Sequence, residues 1–215
     1  MPVTFSIREI EASLREFQRE FPRINDTLSM RREELTDMMV DQIVEAYGFL
    51  NSLLSRGMDL FTPAGLNALL EMNHIVLCGT DKKTRLFYYQ HVNETRKSFV
   101  KKIKPIKQWV MSRNHAEDPF RLASGFYTRM LSHPQLFLEG NHRTGNIVMN
   151  YLLVSRDTPP YVVSLETARG YLDLSGDIKF THKDTSLDSV RMPGHRKRFA
   201  QFLRESVDRR FLGSR

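Results

Sequence analysis

Two apolar stripes at helical spacing, one through Leu122, Ala123, Phe126, Tyr127, Met130 and Leu131, the other through Ile147, Val148, Tyr151, Leu152, Leu153 and Val154, stand on either side of one polar stretch. Steps of three and four place each set on one side of a helix. Asp118-Pro119 opens the first helix as cap and first-turn residue, and Pro159-Pro160 lies beyond the end of the second. A chain patterned in this way folds around a pair of core helices joined by His133 to Asn146, which reads His-Pro-Gln-Leu-Phe-Leu-Glu-Gly-Asn-His-Arg-Thr-Gly-Asn. A histidine, a carboxylate, a Gly-Asn turn and an arginine meet in that connection.

The flanking text is helical too. Ser6-Ile7-Arg8-Glu9 has capping-box spacing, and Ile7, Ile10, Leu14, Phe17 and Phe21 predict a first helix ending near Pro22. A second runs from about Ser29 through Leu35, Met39, Ile43, Tyr47, Leu50 and Leu54, with Gly57 just past its end. Thr62-Pro63 opens a third, through Leu66, Leu69, Leu70 and Ile75 to Gly79. After the core pair, Tyr161 to Ser164 reads as extended and Leu165 to Leu174 as helix. Gly176 to Gly194 is mixed text compatible with loop, and Phe199, Phe202, Leu203, Val207 and Phe211 mark a last helix with a basic outer face. The fold class is therefore mainly α, a single domain over 1–215, with N-terminal helices over 6–56, a core of about 60–175 and a helical extension over 195–212.

Between Thr80 and Lys107 the text turns polar and basic, with Phe87, Tyr88, Tyr89 and Phe99 interleaved. Cations that neutralise phosphate and rings that stack on bases would make a nucleic-acid surface. The expected alternative is a solvated face with its aromatics turned inward and Trp109 anchoring the return to the core. The formal charge of +7 favours phosphate-rich or acidic partners without choosing among them. The 14 Phe and 10 Met supply ample core material. The single cysteine, Cys78, excludes an internal disulfide and sits in an apolar run, as a buried structural thiol would. No stretch has the length of a membrane span and no export address is visible, so a cytoplasmic protein is expected, with translocation into another cell left open.

The polar connection has its own chemistry. A helix beginning just after Gly140 presents unpaired amides and the positive end of its dipole, an anion site. Arg143 adds a planar cation suited to phosphate oxygens. Glu139 repels phosphate unless a magnesium ion bridges them, which makes it a metal ligand. His133 is the one nearby group able to accept a proton near neutral pH and is the candidate base. Together these suggest phosphoryl or nucleotidyl transfer. A plain connecting loop, with His133 capping a helix end and Glu139 paired to Arg143 on the surface, explains the same residues.

The stretch resembles the signature of the Fic/Doc family, His-Pro-Phe, any residue, Asp or Glu, Gly-Asn-Gly-Arg, two residues, Arg. Phe137, Glu139, Gly140, Asn141 and Arg143 match in register, and the likeness covers roughly Asp118 to Leu174. The resemblance implies a helical bundle with a target-docking β-hairpin flap before Asp118, with Thr84 to Phe99 the place for it. It further implies transfer of AMP from ATP, with Mg2+, to a Ser, Thr or Tyr hydroxyl of a target protein. In that reading His133 is the general base, Phe137 anchors the loop, Glu139 holds magnesium, and Gly140, Asn141, His142, Arg143, Thr144 and Gly145 hold the nucleotide phosphates.

Three departures matter. Gln135-Leu136 lengthen the spacing between His133 and Phe137, His142 replaces the second glycine, and Asn146 stands where the last arginine is expected. They keep two alternatives in view: a Doc-like phosphotransfer or other nucleotidyl transfer, and a module that binds nucleotide or protein without turnover. Many relatives restrain themselves with a glutamate-bearing helix. The nearest text, Ser29 to Glu34, lacks its final residue and reads as ordinary helix surface.

Overall fold

Where a side-chain oxygen precedes a proline or a polar first turn, the chain enters a helix as expected. The computed structural model describes residues 3–28, 30–113, 116–183 and 185–213, apart from the side chains of 186–189. Among the described residues nine α-helices follow one another: α1 Ile7–Asp26, α2 Asp37–Ser55, α3 Pro63–Cys78, α4 Lys82–Phe87, α5 Tyr89–Met111, α6 Pro119–Leu131, α7 Asn141–Val154, α8 Leu165–Lys179 and α9 Ser186–Ser206. The expected mainly helical fold is present.

Thr62 accepts from the Gly65 amide and Asp118 from the Phe120 and Arg121 amides, so both caps act as the sequence implies. Ser6 precedes α1 without capping it through its side chain. Its own amide instead donates to the Phe211 carbonyl at 2.9 Å, tying the start of α1 to the short 3-10 turn Arg209–Phe211. Helix α1 also runs through Pro22, whose ring is on the exposed side, to Asp26.

Three expectations are corrected. The second helix begins at Asp37, where Thr36 caps the Met39 amide. Residues 30–35 before it form a non-helical strap, and Ser29 lies outside the described residues. The text from Gly176 to Gly194 is not mainly loop: α8 continues to Lys179 and α9 starts at Ser186. The flap is not a hairpin either. Thr84 to Phe99 belongs to α4 and α5, because Thr95, Phe99, Ile103, Ile106 and Val110 recur at helical spacing and are all buried. Of the interleaved aromatics only Phe99 turns inward, while Phe87, Tyr88 and Tyr89 are exposed.

Helix α6 is the hub. It packs against α7 and α9, with α5 and α8 beside them, while α2 packs on α1, α3 and α7. The α6–α7 contact is close because Gly145 carries no side chain, and a Cβ there would lie 2.8 Å from Met130 Cε. Trp109 of α5 fills a similar gap at Gly125, where a Cβ would stand 2.2 Å from the indole ring. Each large side chain buried in this core contributes about 1.5–3 kcal/mol. Cys78 is buried with its thiol donating to the His74 carbonyl, and burial raises its pKa. No helix of the described residues is long and apolar enough to cross a membrane.

Candidate functional site

The connection between α6 and α7 is built from the inside outward. Leu136 and Phe137 are buried, and the Phe137 ring stacks on Phe99 of α5. Asn141, the first residue of α7, turns its amide back onto the loop: Oδ1 accepts from the Phe137 amide at 2.9 Å and Nδ2 donates to the Phe137 carbonyl at 2.9 Å. Gly140 adopts φ 73°, the left-handed conformation glycine takes without strain. Behind it Asn73 of α3 donates from one nitrogen to the Glu139 carbonyl at 3.1 Å and to Thr144 Oγ1 at 3.0 Å. The loop is thereby fixed at Phe137, Glu139 and Thr144.

This bracing leaves the amino end of α7 open. Among the described residues, no acceptor meets the amides of Asn141, His142 or Arg143, whereas the Thr144 amide already bonds to the Gly140 carbonyl. Three unpaired amides and a 14-residue helix dipole converge at the same place, the arrangement that attracts a phosphate oxygen. They border a cavity of about 640 Å³. Apolar residues of α1 and α2, among them Phe17, Phe21 and Ile43, line it together with the strap, Gly140 to Arg143, Asn146, Tyr171 and Lys179.

Each expected site residue can now be located. Glu139 is exposed in the cavity lining, and its carboxylate has no partner among the described residues. Arg143 donates from Nη1 to the Val76 carbonyl at 2.9 Å and also lines the cavity. Burial lowers its pKa, offset by Glu33 and Glu139. The side chain of Asn141 is consumed by the loop, so its contact with a ligand runs through the backbone. Thr144 and Gly145 do not line the cavity: Thr144 is held by Asn73, and Gly145 faces Met130 and Tyr127.

His142 does not stand across the open amides. Its ring turns inward, with Nδ1 3.3 Å from the Tyr127 hydroxyl, and its Nε2 is shielded from solvent with no partner among the described residues. Desolvation, with smaller contributions from Arg32, Lys179 and Arg143, pushes its pKa down to about 3, so it is neutral at ordinary pH. His133 is exposed and outside the described lining. Its ring lies 4.7 Å from that of His182, and its backbone pairs with 181–183, the Thr181 carbonyl accepting from the His133 amide. The longer spacer accounts for this placement, since Leu136 takes a core position and Gln135 Nε2 bonds back to the Leu131 carbonyl.

Three basic residues of the cavity lining, Arg31, Arg32 and Lys179, escape a sequence reading. Arg32 is held by Asn25 through both backbone groups and donates from Nη2 to the Leu172 carbonyl at 2.8 Å, while its Nε is buried without a partner. A Cβ on Gly176 would lie 2.6 Å from that guanidinium. Lys179 ends α8 in the same lining. With Arg143, and with Arg31, which is ion-paired to Asp26 at 3.0 Å, they give the cavity lining four cations against Glu33, Glu34 and Glu139. A polyanion, or a polyanion carrying a divalent cation, suits that balance. No cluster of three or more His, Cys, Asp or Glu that could hold a metal occurs among the described residues.

No family model matches the chain, and no solved structure matches it. Over 138 residues, 60% of its length, it is 24% identical to the protein adenylyltransferase Fic of Nematostella vectensis, of which the match spans 31%. The chain covers about a third of that relative, and over this part it is similar to a Fic protein.

Proposed function

We propose that the protein is a Fic-type protein adenylyltransferase, moving AMP from ATP to a hydroxyl side chain of a target protein in the presence of Mg2+. The observation that carries this reading is the open amino end of α7, three unpaired amides beside Arg143 and Glu139 at the border of a nucleotide-sized cavity. The amides and Arg143 hold phosphate oxygens, with Arg32 and Lys179 supplying further positive charge. Glu139 would hold the magnesium ion, which when bound neutralises charge on the phosphates. His133 takes the proton from the incoming hydroxyl, and its present exposure means that the target, on docking, meets it at the loop surface. The likeness to an adenylyltransferase supports the same reading.

A second reading is favoured by one observation: His133 lies outside the described cavity lining, beside His182. A nucleotide-binding module without turnover would look the same. A Doc-like phosphotransfer stays open through the altered position 142. The deciding experiment incubates the full chain and a lysate with magnesium and ATP labelled at either the α or the γ phosphate. Protein labelled from the α position only, and lost in both His133→Ala and Glu139→Ala, is the expected result. Label from the γ position only means phosphotransfer. Saturable ATP binding with no label from either position selects the binding module.

A further inference from the structure

The charge of the molecule is concentrated in one place. Residues 81–107 carry nine lysines and arginines against Asp81 and Glu94, a formal +7, which equals the net charge of the whole chain. The remainder is neutral on balance. This segment is α4 and most of α5, and among the described residues two of its cations have partners: Arg85, paired with Glu71 at 2.7 Å, and Lys102, whose Nζ donates to the Gln135 carbonyl at 2.7 Å. Lys82, Lys83, Arg96, Lys97, Lys101, Lys104 and Lys107 have no ion-pair partner among the described residues.

The same segment exposes apolar side chains that a solvated face does not need. Leu86 is 75% and Phe87 85% exposed at the end of the six-residue α4, next to exposed Tyr88 and Tyr89. On α5, Val100 and Met111 are exposed among the lysines, opposite the buried row of Phe99, Ile103, Ile106 and Val110. Basic residues interleaved with exposed apolar side chains are the composition of an interfacial membrane contact, where apolar side chains enter the headgroup boundary and lysines lie against anionic headgroups. A second copy of the chain would set like charge against like. Nucleic acid would use the rings but has nothing to stack on Leu86, Val100 or Met111.

We propose that the tip formed by α4 and the outer face of α5 docks on an anionic lipid surface, with Leu86 and Phe87 inserted and Lys97, Lys101 and Lys104 against the headgroups. The inner face of α5 carries the loop, through Phe99 on Phe137 and Lys102 on Gln135. Docking through the outer face therefore leaves the cavity of the candidate site unblocked and holds it at a fixed orientation to the membrane.

The test is co-sedimentation of the full chain with vesicles of phosphatidylcholine alone and of phosphatidylcholine mixed with phosphatidylserine. The chain pellets with the mixed vesicles only, and less as salt is raised. Each lysine brought to such a surface contributes roughly a fivefold factor, so Lys97→Glu, Lys101→Glu and Lys104→Glu together lower partitioning by on the order of a hundredfold. Leu86→Asp with Phe87→Asp lowers it by roughly tenfold or more, and the truncation Phe87→Ala lowers it in the same direction if the double variant proves unstable. Equal binding to neutral vesicles, no response to the Leu86 and Phe87 changes, or capture of a single-stranded RNA oligonucleotide that displaces the vesicles would each overturn the proposal.

Discussion

Phe99 of α5 lies flat on Phe137 of the connecting loop, ring centroids 5.3 Å apart and planes 2° from parallel. The two rings set the depth at which the loop sits, and through Asn141, which is bonded to both backbone groups of Phe137, they set where α7 begins. Truncating Phe137→Ala removes the stacked ring and leaves a cavity, with an expected loss of about 3–5 kcal/mol in urea unfolding at unchanged m-value. Phe99→Leu, which keeps an apolar side chain of smaller volume but not the stack, should lose only about 1 kcal/mol. A Phe137→Ala loss below that level would mean that the loop collapses onto α5 without its anchor.

Asn73 is fully buried, and one nitrogen reaches both Glu139 and Thr144. Replacing it by alanine leaves the Glu139 carbonyl and the Thr144 hydroxyl without their donor, an expected loss of about 1–3 kcal/mol. Thr144→Ala and the double variant complete a cycle, with a coupling of about 1 kcal/mol between the two positions. Additivity of the two single losses would show that the bond between them contributes nothing to stability.

His142 gives the protein an acid limit. Its pKa is depressed to about 3, so folded and unfolded chains both hold it neutral above the ordinary histidine range near 6.5. Below that value the unfolded chain takes up the proton first. A penalty on the folded state therefore grows as pH falls from about 6.5 toward 3, amounting to a few kcal/mol at the lower end. In His142→Gln, thermal midpoints followed across this window should fall less steeply than in the parent. Parallel slopes would rule out His142 as the source.

Arg143 combines a tie to Val76 with a place in the cavity lining. Arg143→Ala is expected to weaken ATP binding by roughly tenfold to a hundredfold, the range of a charge-assisted hydrogen bond. Arg143→Lys retains charge but not the planar fork and should recover only part of it. Calorimetric titration measures both, and equal affinity in all three proteins would remove Arg143 from the proposed phosphate contacts.

What could be read in advance divides along physical lines. Thr62-Pro63 and Asp118-Pro119 were legible because a cap acts within a few residues of itself, and the stripes of α6 and α7 because burial there is set by helical period alone. Glu139, Gly140 and Arg143 were legible as one turn plus one helix start. Arg32 was not, because its place in the cavity depends on Asn25 of α1 and on the absent side chain of Gly176 in α8. Helix α5 was obscured in a different way. Its inner row was present in the text, but Phe87, Tyr88 and Tyr89 beside it suggested rings turned inward, and exposure is not encoded locally. The role of Thr144 depended in the same way on Asn73, which is distant in sequence.

The Tyr47 hydroxyl donates to Asn146 Oδ1 at 3.1 Å and lies 2.6 Å from Asn150 Nδ2, and Asn150 also holds both backbone groups of Tyr161. Position 146 is consequently not free to vary by itself. An arginine introduced there would withdraw the acceptor from a buried phenol and leave the neighbouring amide short of its partner. Residues 47, 146 and 150 form one epistatic unit, in which a change of Asn146 alone to a basic side chain passes through a destabilised intermediate.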